Sequence, residues 1–448
     1  MRSALGWMIL VATVLYALIR NPRVAVFGMV AADNIRPGDE YIEFGMETVK
    51  FSITYYAVAL GLLLIFYKRY RLTSDRFHWA IFFLFMSVVN SALHAPCFGA
   101  AYVQIDNYFK MLLQYYLICA FMRNEAHLRE LYWAISFSVT VVALRYCYGK
   151  FLINERNWEG ATGDRNEMAM AMVMGLPFLF MLGFTAKALW QRVLAWMWMP
   201  FLAVTILMSL SRGGMLGLGA VGGYLLYRLH HKRWLVVVGV FGALVGLANL
   251  PTEVTARFMT IGMAARRDAS AIGRLNAWGA ARNMAKDRPL YGVGSGNFLV
   301  WFRRYAPDPN DVHVAHSSFY QLLGEQGLPG LGVWLYLVIM CWLVLSWNEM
   351  RLERMERGRW TEARYMHVML KSSWVGYVLC GAFLSQEDMD FFYHLLAITS
   401  RYAFFIDERQ AGIRAELAEE GRVTIPNAPD ERFTQPLLPP HAPGQGWG

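Results

Sequence analysis

Apolar runs of about 17–20 residues recur from one end of this 448-residue chain to the other, each long enough to cross a hydrocarbon core as a helix. Inside lipid no water is present to satisfy backbone polar groups, so a run of this kind closes its hydrogen bonds within one helix. Composition agrees: 56% of residues are hydrophobic and 17% charged, against about 25% charged in soluble domains. The fold class read from the sequence is all-α, a polytopic membrane helix bundle.

From residue 51 onward the spans read as 51–67, 78–95, 106–122, 129–148, 166–185, 194–210, 213–229, 233–250, 317–347, 366–384 and 389–405. The first 35 residues hold two short apolar runs around Asn21-Pro22, giving one broken span or a tight hairpin, and so 12 or 13 spans in total. No small-residue cleavage site precedes Arg20, which makes the first run a retained span.

The net charge of +9 does not point to nucleic acid, because Lys and Arg gather in short connections between spans. Lys68 to Arg71, Arg123 to Arg129, Lys187 to Arg192, Arg228 to Arg233 and Arg351 to Arg359 all fall on one side, the cytoplasm by the positive-inside rule. Segments 96–105, 149–165, 211–213, 251–315 and 385–390 then face outward. The organisation that follows is an N-terminal transmembrane bundle over 1–250, a long outward arginine-rich loop over 251–315, C-terminal transmembrane helices over 316–405, and a cytoplasmic tail over 406–448. The tail is proline-rich and expected to be disordered. Cys97, Cys119, Cys147, Cys341 and Cys380 lie in or beside apolar runs with no CxxC pair and read as packing residues.

The outward loop carries Arg257, Arg266, Arg267, Arg274, Arg282, Arg288, Arg303 and Arg304 against few acids. Loops longer than about 60 residues escape the orientation rule. The excess arginine is free to serve a ligand, or to touch anionic headgroups of membrane lipids. Two arginines stand in ordered surroundings. Arg212 lies in Leu210-Ser-Arg-Gly-Gly-Met215 at the junction of two spans, where glycines let backbone N–H groups approach an anion. An arginine near a helix end also snorkels to the interface as a matter of course. Arg274 lies in Gly273-Arg-Leu-Asn-Ala-Trp278, on a helix expected from Ser270 to Asp287, with Ile272, Leu275, Trp278 and Ala285 near one face. A helix lying on the bilayer gives the same pattern. Pro289-Leu-Tyr-Gly-Val-Gly-Ser-Gly-Asn-Phe298 lacks the Gly-Lys-Ser/Thr of a nucleotide loop and reads as a tight turn.

His316 closes the loop and begins the next apolar helix, whose N-terminus favours a neutral ring. His313 and Asp311 precede it, yet no HExxH and no cysteine supports a metal site. Glu387 and Asp388 lie in a short outward turn that is equally a solvated one.

Taken in order, Ser-Arg-Gly-Gly at a span junction, Gly-Arg-Leu-Asn-Ala-Trp in a long loop, Pro289-Leu-Tyr-Gly-Val-Gly294, and His316-Ser317 followed after nine residues by Gly327-Leu-Pro-Gly330 resemble the O-antigen ligase and polymerase superfamily. The likeness covers about residues 160–345. Gly163-Asp-Arg-Asn-Glu-Met168 and the N-terminal layout look like the subgroup of probable O-glycosylation ligases associated with exosortase systems.

The resemblance implies a GT-C-like glycosyltransferase of the bacterial inner membrane, with its site facing the periplasm and its C-terminus in the cytoplasm. It would move a preassembled glycan from an undecaprenyl-diphosphate carrier to a protein or lipid hydroxyl, without metal or cofactor. Arg212 and Arg274 match the arginines that engage the diphosphate, and His316 matches the essential histidine. Arg282 and Ser317 stand beside them as substrate contacts, and Asp388 as a partner for His316; His313 has no counterpart. A polysaccharide polymerase using the same donor is the alternative within this class. A transporter would show internal repeats and charges at mid-membrane, and a non-catalytic assembly protein would tolerate loss of Arg212, Arg274 and His316.

Overall fold

The computed structural model describes residues 2–35, 51–70, 77–151, 164–229, 269–356 and 359–419. Among these every regular element is a helix, in the order α1 Arg2–Ile19, α2 Arg23–Ile35, α3 Phe51–Ile65, α4 His78–Ala92, α5 Phe98–Phe121, α6 Glu125–Phe151, α7 Arg165–Thr185, α8 Leu189–Met208, α9 Arg212–Arg228, α10 Ala269–Asp287, α11 Phe298–Tyr305, α12 Ser318–Glu356, α13 Glu362–Gly381 and α14 Asp390–Glu419. The expected span 233–250 and the first part of the long loop, with Arg257, Arg266 and Arg267, lie outside the described residues.

The polytopic helical class holds. Among the described residues, α6, α7, α8 and α12 contain stretches long and apolar enough to cross a membrane by length and composition. That falls short of the 12 or 13 spans expected, for a physical reason visible in the remaining helices. α13 carries Arg364, His367 and Lys371, met by Glu353 and Glu349 of α12, and α5 carries Gln114, met by Asp33 and Asp390, and an Asp106–Lys110 pair of its own, polar groups that lower mean hydropathy.

α7 is the spine of the bundle, with Met168 to Gly183 buried along its whole length. Small residues bring its neighbours close. A Cβ on Gly217 of α9 would stand 2.4 Å from the Cys380 sulfur, and one on Gly376 of α13 would stand 2.9 Å from Val173. Such contacts are how helices associate in lipid, where apolar burial alone gives little. The ambiguity over residues 1–35 resolves as a hairpin. Tyr55 of α3 touches both arms, its ring filling the space beside Gly28 and its hydroxyl bonding Thr13, at similar distances from the Asn21-Pro22 turn.

The connections expected to be cytoplasmic pair with one another. Arg23 meets His127 and Glu130, Arg129 meets Glu362, and Glu349 gathers Arg228, Lys371 and His367. The connections expected to face outward also pair with one another. Asn297 exchanges hydrogen bonds with the backbone of Cys97 at 3.0 and 3.2 Å, and the 383–386 turn binds Ser317 and Ser318.

Two boundaries differ from the sequence reading. α12 runs from Ser318 to Glu356 but breaks at Gly327 (φ 69°, ψ −161°), so the expected single span 317–347 is two helical pieces. Residues 406–419, expected to belong to a disordered tail, are helical because Glu, Arg, Ala and Leu dominate there and proline enters only at Pro426. Among the described residues, 404–419 fall in a second unit.

Candidate functional site

The described part of the long loop is a small folded body. α10 turns Ala277, Ala280, Ala281 and Met284 inward, a spacing that places all four on one helical face. They pack against Phe298, Phe302 and Tyr305 of α11, Val293 and Ala315. The face expected from sequence is not this one. Ile272 and Leu275 stand 51% and 56% exposed, because the alanines alone are small enough for α11 to approach. Between α10 and α11, Gly292, Gly294 and Gly296 all take positive φ and let the chain touch the Glu325 carbonyl, Ala95 and the Ala100 carbonyl. Glu325 closes the turn from below, accepting from Gly296 N–H at 2.8 Å, Phe298 N–H at 3.3 Å and Gln321 Nε2 at 2.7 Å.

His316 emerges from this body with φ 45°. It and Leu210 (φ 56°) are the two non-glycine residues with positive φ among the described residues. Such a conformation costs about 1–3 kcal/mol and persists where surroundings fix it. They are fixed here. Ahead of His316, the Ala315 carbonyl accepts the Trp278 indole N–H at 2.9 Å. Behind it, Ser317 N–H bonds Ser385 Oγ at 3.3 Å, and Ser318 Oγ donates to the Leu384 carbonyl and accepts from Gln386 N–H, both at 2.9 Å.

Trp278 lies four residues beyond Arg274, on the same side of α10, and stacks on Tyr320 with ring centroids 4.8 Å apart. The indole bond thereby brings Arg274 to His316, whose charge Arg274 opposes. Gly273 leaves the notch that takes the His313 ring, and His313 Nε2 is held by Asp311 at 2.7 Å. Burial first, and then the Arg274 guanidinium, hold His316 below its ordinary pKa, with Asp164 pulling the other way. The ring is therefore neutral near pH 7 and able to accept a proton.

Arg212 opens α9, whose first turn Ser211 caps by accepting from Gly214 N–H at 3.2 Å. Gly213 packs on Phe383 and Leu384, and its carbonyl accepts from Cys380 Sγ at 3.4 Å. The Leu384 carbonyl that holds Ser318 therefore sits against the start of α9. Arg212, the 383–386 turn and the His316-Ser317-Ser318 strand of chain form one packed set. Arg282 lies two helical turns beyond Arg274 and is exposed. Ser317 is buried. Asp388 is half-buried and acts on Glu387 and Glu325, while the carboxylate acting on His316 is Asp164. Burial, then Asp388 and Glu325, push the Glu387 carboxyl well above the usual range. Among the described residues no group of three or more His, Cys, Asp or Glu side chains is arranged to hold a metal ion.

Sequence reasoning gave no role to Asp164, Trp278, Gln321 or Glu325. A signal existed for two of them. Asp164 precedes a helix as an Asx cap, accepting from Asn166 N–H at 2.7 Å, and Glu325 is a lone carboxylate in an apolar run, which rarely lacks a purpose.

The class these features define is a multi-pass membrane protein whose folded loop ties the helix of Arg274 to the residue before His316. A family model described as O-antigen ligase matches residues 197–335, from within α8 to within α12. No curated protein matches the chain.

Proposed function

We propose that this protein is a membrane glycosyltransferase that moves a preassembled glycan from an undecaprenyl-diphosphate carrier to a hydroxyl of a protein or lipid acceptor, on the periplasmic face of the bacterial inner membrane. The observation that supports this reading is the Trp278–Ala315 hydrogen bond, which ties the helix bearing Arg274 to the residue before His316 on one folded loop. Arg274 and Arg212 would hold the diphosphate, guanidinium groups being suited to bidentate binding of phosphate with constant charge. Arg282, exposed farther along α10, would meet the outer part of the donor.

The transfer is a single displacement. The acceptor oxygen bonds to the anomeric carbon, the bond from that carbon to the diphosphate oxygen breaks, and its electron pair leaves with the carrier. The acceptor proton passes to the His316 ring, and the arginines stabilise the charge growing on the diphosphate. The negative charge is then met without a metal. Ser317 fixes the backbone at His316, Asp164 acts on its ring, and Asp388 would meet the substrate from the turn that follows Ser385. The motif layout also favours the exosortase-associated O-glycosylation ligases as the subgroup.

The test is transfer by the purified full-length protein from a lipid-diphosphate glycan to protein and lipid-core acceptors, read by mass of the product. Glycan attached to an acceptor supports the proposal. A longer lipid-linked glycan would make the protein a polymerase, and no product with any acceptor would remove the enzymatic reading.

A further inference from the structure

One edge of the folded loop body carries apolar and basic side chains that its own packing leaves unmet. Hydrogen bonds set this edge against the ends of helices that fall on expected spans. The Pro289 carbonyl accepts from Leu328 N–H at 2.8 Å, where the second piece of α12 begins. Asn297 holds the Cys97 backbone between α4 and α5, and the His94 ring stacks on Tyr291 with centroids 3.9 Å apart. Leu290 is exposed between these ties, and Leu93, Phe98 and Leu328 are exposed around them.

α11 separates the two kinds of side chain along its axis. Phe298, Phe302 and Tyr305 face the core of the loop body. Away from that core, Leu299 and Val300 stand 49% and 58% exposed in the first turn, next to the Asn297 tie. Arg303 and Arg304 are exposed in the second turn, four residues and so about 6 Å farther along the axis. Neither arginine forms an ion pair among the described residues. Arg304 lies 5.2 Å over the Trp301 ring and Arg288 lies 4.5 Å over the same ring, so two guanidinium groups share one indole. Asp287 approaches Arg288 at 3.8 Å and also accepts from the Tyr305 hydroxyl. One shared carboxylate leaves the edge with an excess of positive charge. An exposed apolar patch rimmed by charge marks a membrane or protein contact. The order of the side chains favours the membrane, since apolar residues lie beside the span ends and arginines one turn on, as hydrocarbon gives way to phosphate.

We propose that the edge formed by Leu290, Leu299, Val300, Arg303 and Arg304 seats the loop body on the adjoining leaflet. The apolar side chains enter the acyl boundary, and the arginines hold the phosphates of anionic lipids, which guanidinium groups bind in bidentate fashion. The contact keeps the loop body at headgroup depth, where a lipid-linked phosphate stands. It does not rest on the transfer reaction proposed above.

The experiment places p-benzoylphenylalanine at position 300 of the full-length protein, in nanodiscs of phosphatidylglycerol and phosphatidylcholine in equal amounts. The products of illumination are read by mass. The expected result is lipid adducts in which phosphatidylglycerol exceeds phosphatidylcholine about threefold or more, two arginines each attracting an anionic headgroup. Arg303→Gln with Arg304→Gln should bring the two lipids to equal yield. The total lipid adduct should persist, which also shows that the loop body has folded. Where the double variant fails to fold, Arg303→Gln alone, outside the Trp301 stack, carries the test and should cut the preference by about half. The absence of lipid adducts, or an adduct joining two copies of the protein, overturns the proposal. Equal yields in the unsubstituted arginine background, or a preference that survives both substitutions, overturn it as well.

Discussion

The indole N–H of Trp278 is bonded to the carbonyl of Ala315 at 2.9 Å, which joins the helix bearing Arg274 to the residue before His316. The bond links two motifs that are almost forty residues apart in sequence. It explains why a histidine in a left-handed backbone conformation keeps a fixed place beside a guanidinium.

Trp278→Phe retains the ring that stacks on Tyr320 and removes the donor. The buried Ala315 carbonyl then loses its partner, and stability should fall by about 1–3 kcal/mol. Turnover should fall by about tenfold or more with a smaller change in KM, because the substitution loosens His316 without touching the carrier. Steady-state kinetics with a thermal melt of the same preparation separate the two effects.

The pH dependence follows from His316. Burial and Arg274 place its folded pKa below 6.5, so the base-competent ring persists through neutral pH and is lost as pH falls through that lowered value. kcat/KM should show an acid limb with its midpoint below 6.5, and His316→Gln should abolish the limb along with most activity. For stability the sign is the same. The unfolded chain binds the proton more readily, so between about 6.5 and the folded pKa stability declines as pH falls.

Glu325→Ala strips the acceptor from two backbone N–H groups and from Gln321. Each buried group left unmet costs about 1–3 kcal/mol, so the glycine turn should come apart from α12 and the melting temperature should drop sharply. Glu325→Gln keeps one acceptor oxygen and should lose less. Limited proteolysis between Pro289 and Asn297 would report the loosened turn.

At the other group of connections, Glu349 is the common partner of Arg228, Lys371 and His367. Glu349→Ala leaves a buried lysine with no carboxylate, an arrangement that costs about 3–5 kcal/mol in comparable sites. Glu349→Gln should be milder. Denaturation in detergent measures both, and transfer by any folded fraction should be unaffected per molecule.

Much of this molecule is legible in its sequence, and the illegible part has a common cause. Hydropathy and loop charge define a helical membrane bundle because lipid permits few alternatives. The helix bearing Arg274 is readable from Ser270 to Asp287 by its cap and its proline stop. Its buried face is not, since Ile272 and Leu275 outrank alanine in hydrophobicity, while the choice of Ala277, Ala280 and Ala281 depends on how closely α11 approaches. The break at Gly327 is likewise hidden inside an apolar run, where only the need to clear Pro289 and Gly292 requires a positive φ. His316, Arg274 and Arg212 could be picked out by motif. That Trp278 and the 383–386 turn hold their neighbourhood together follows only from the fold.

The most direct test of the central claim is the rate of glycan transfer from a lipid-diphosphate donor by purified protein in nanodiscs with chelator present. Wild type is compared with His316→Ala and Arg274→Lys. The account predicts that wild type retains full activity with chelator, that His316→Ala loses it by 100-fold or more, and that Arg274→Lys loses it substantially because a lysine does not replace a bidentate guanidinium. Transfer that survives His316→Ala, or that chelator alone abolishes in the wild type, would contradict it.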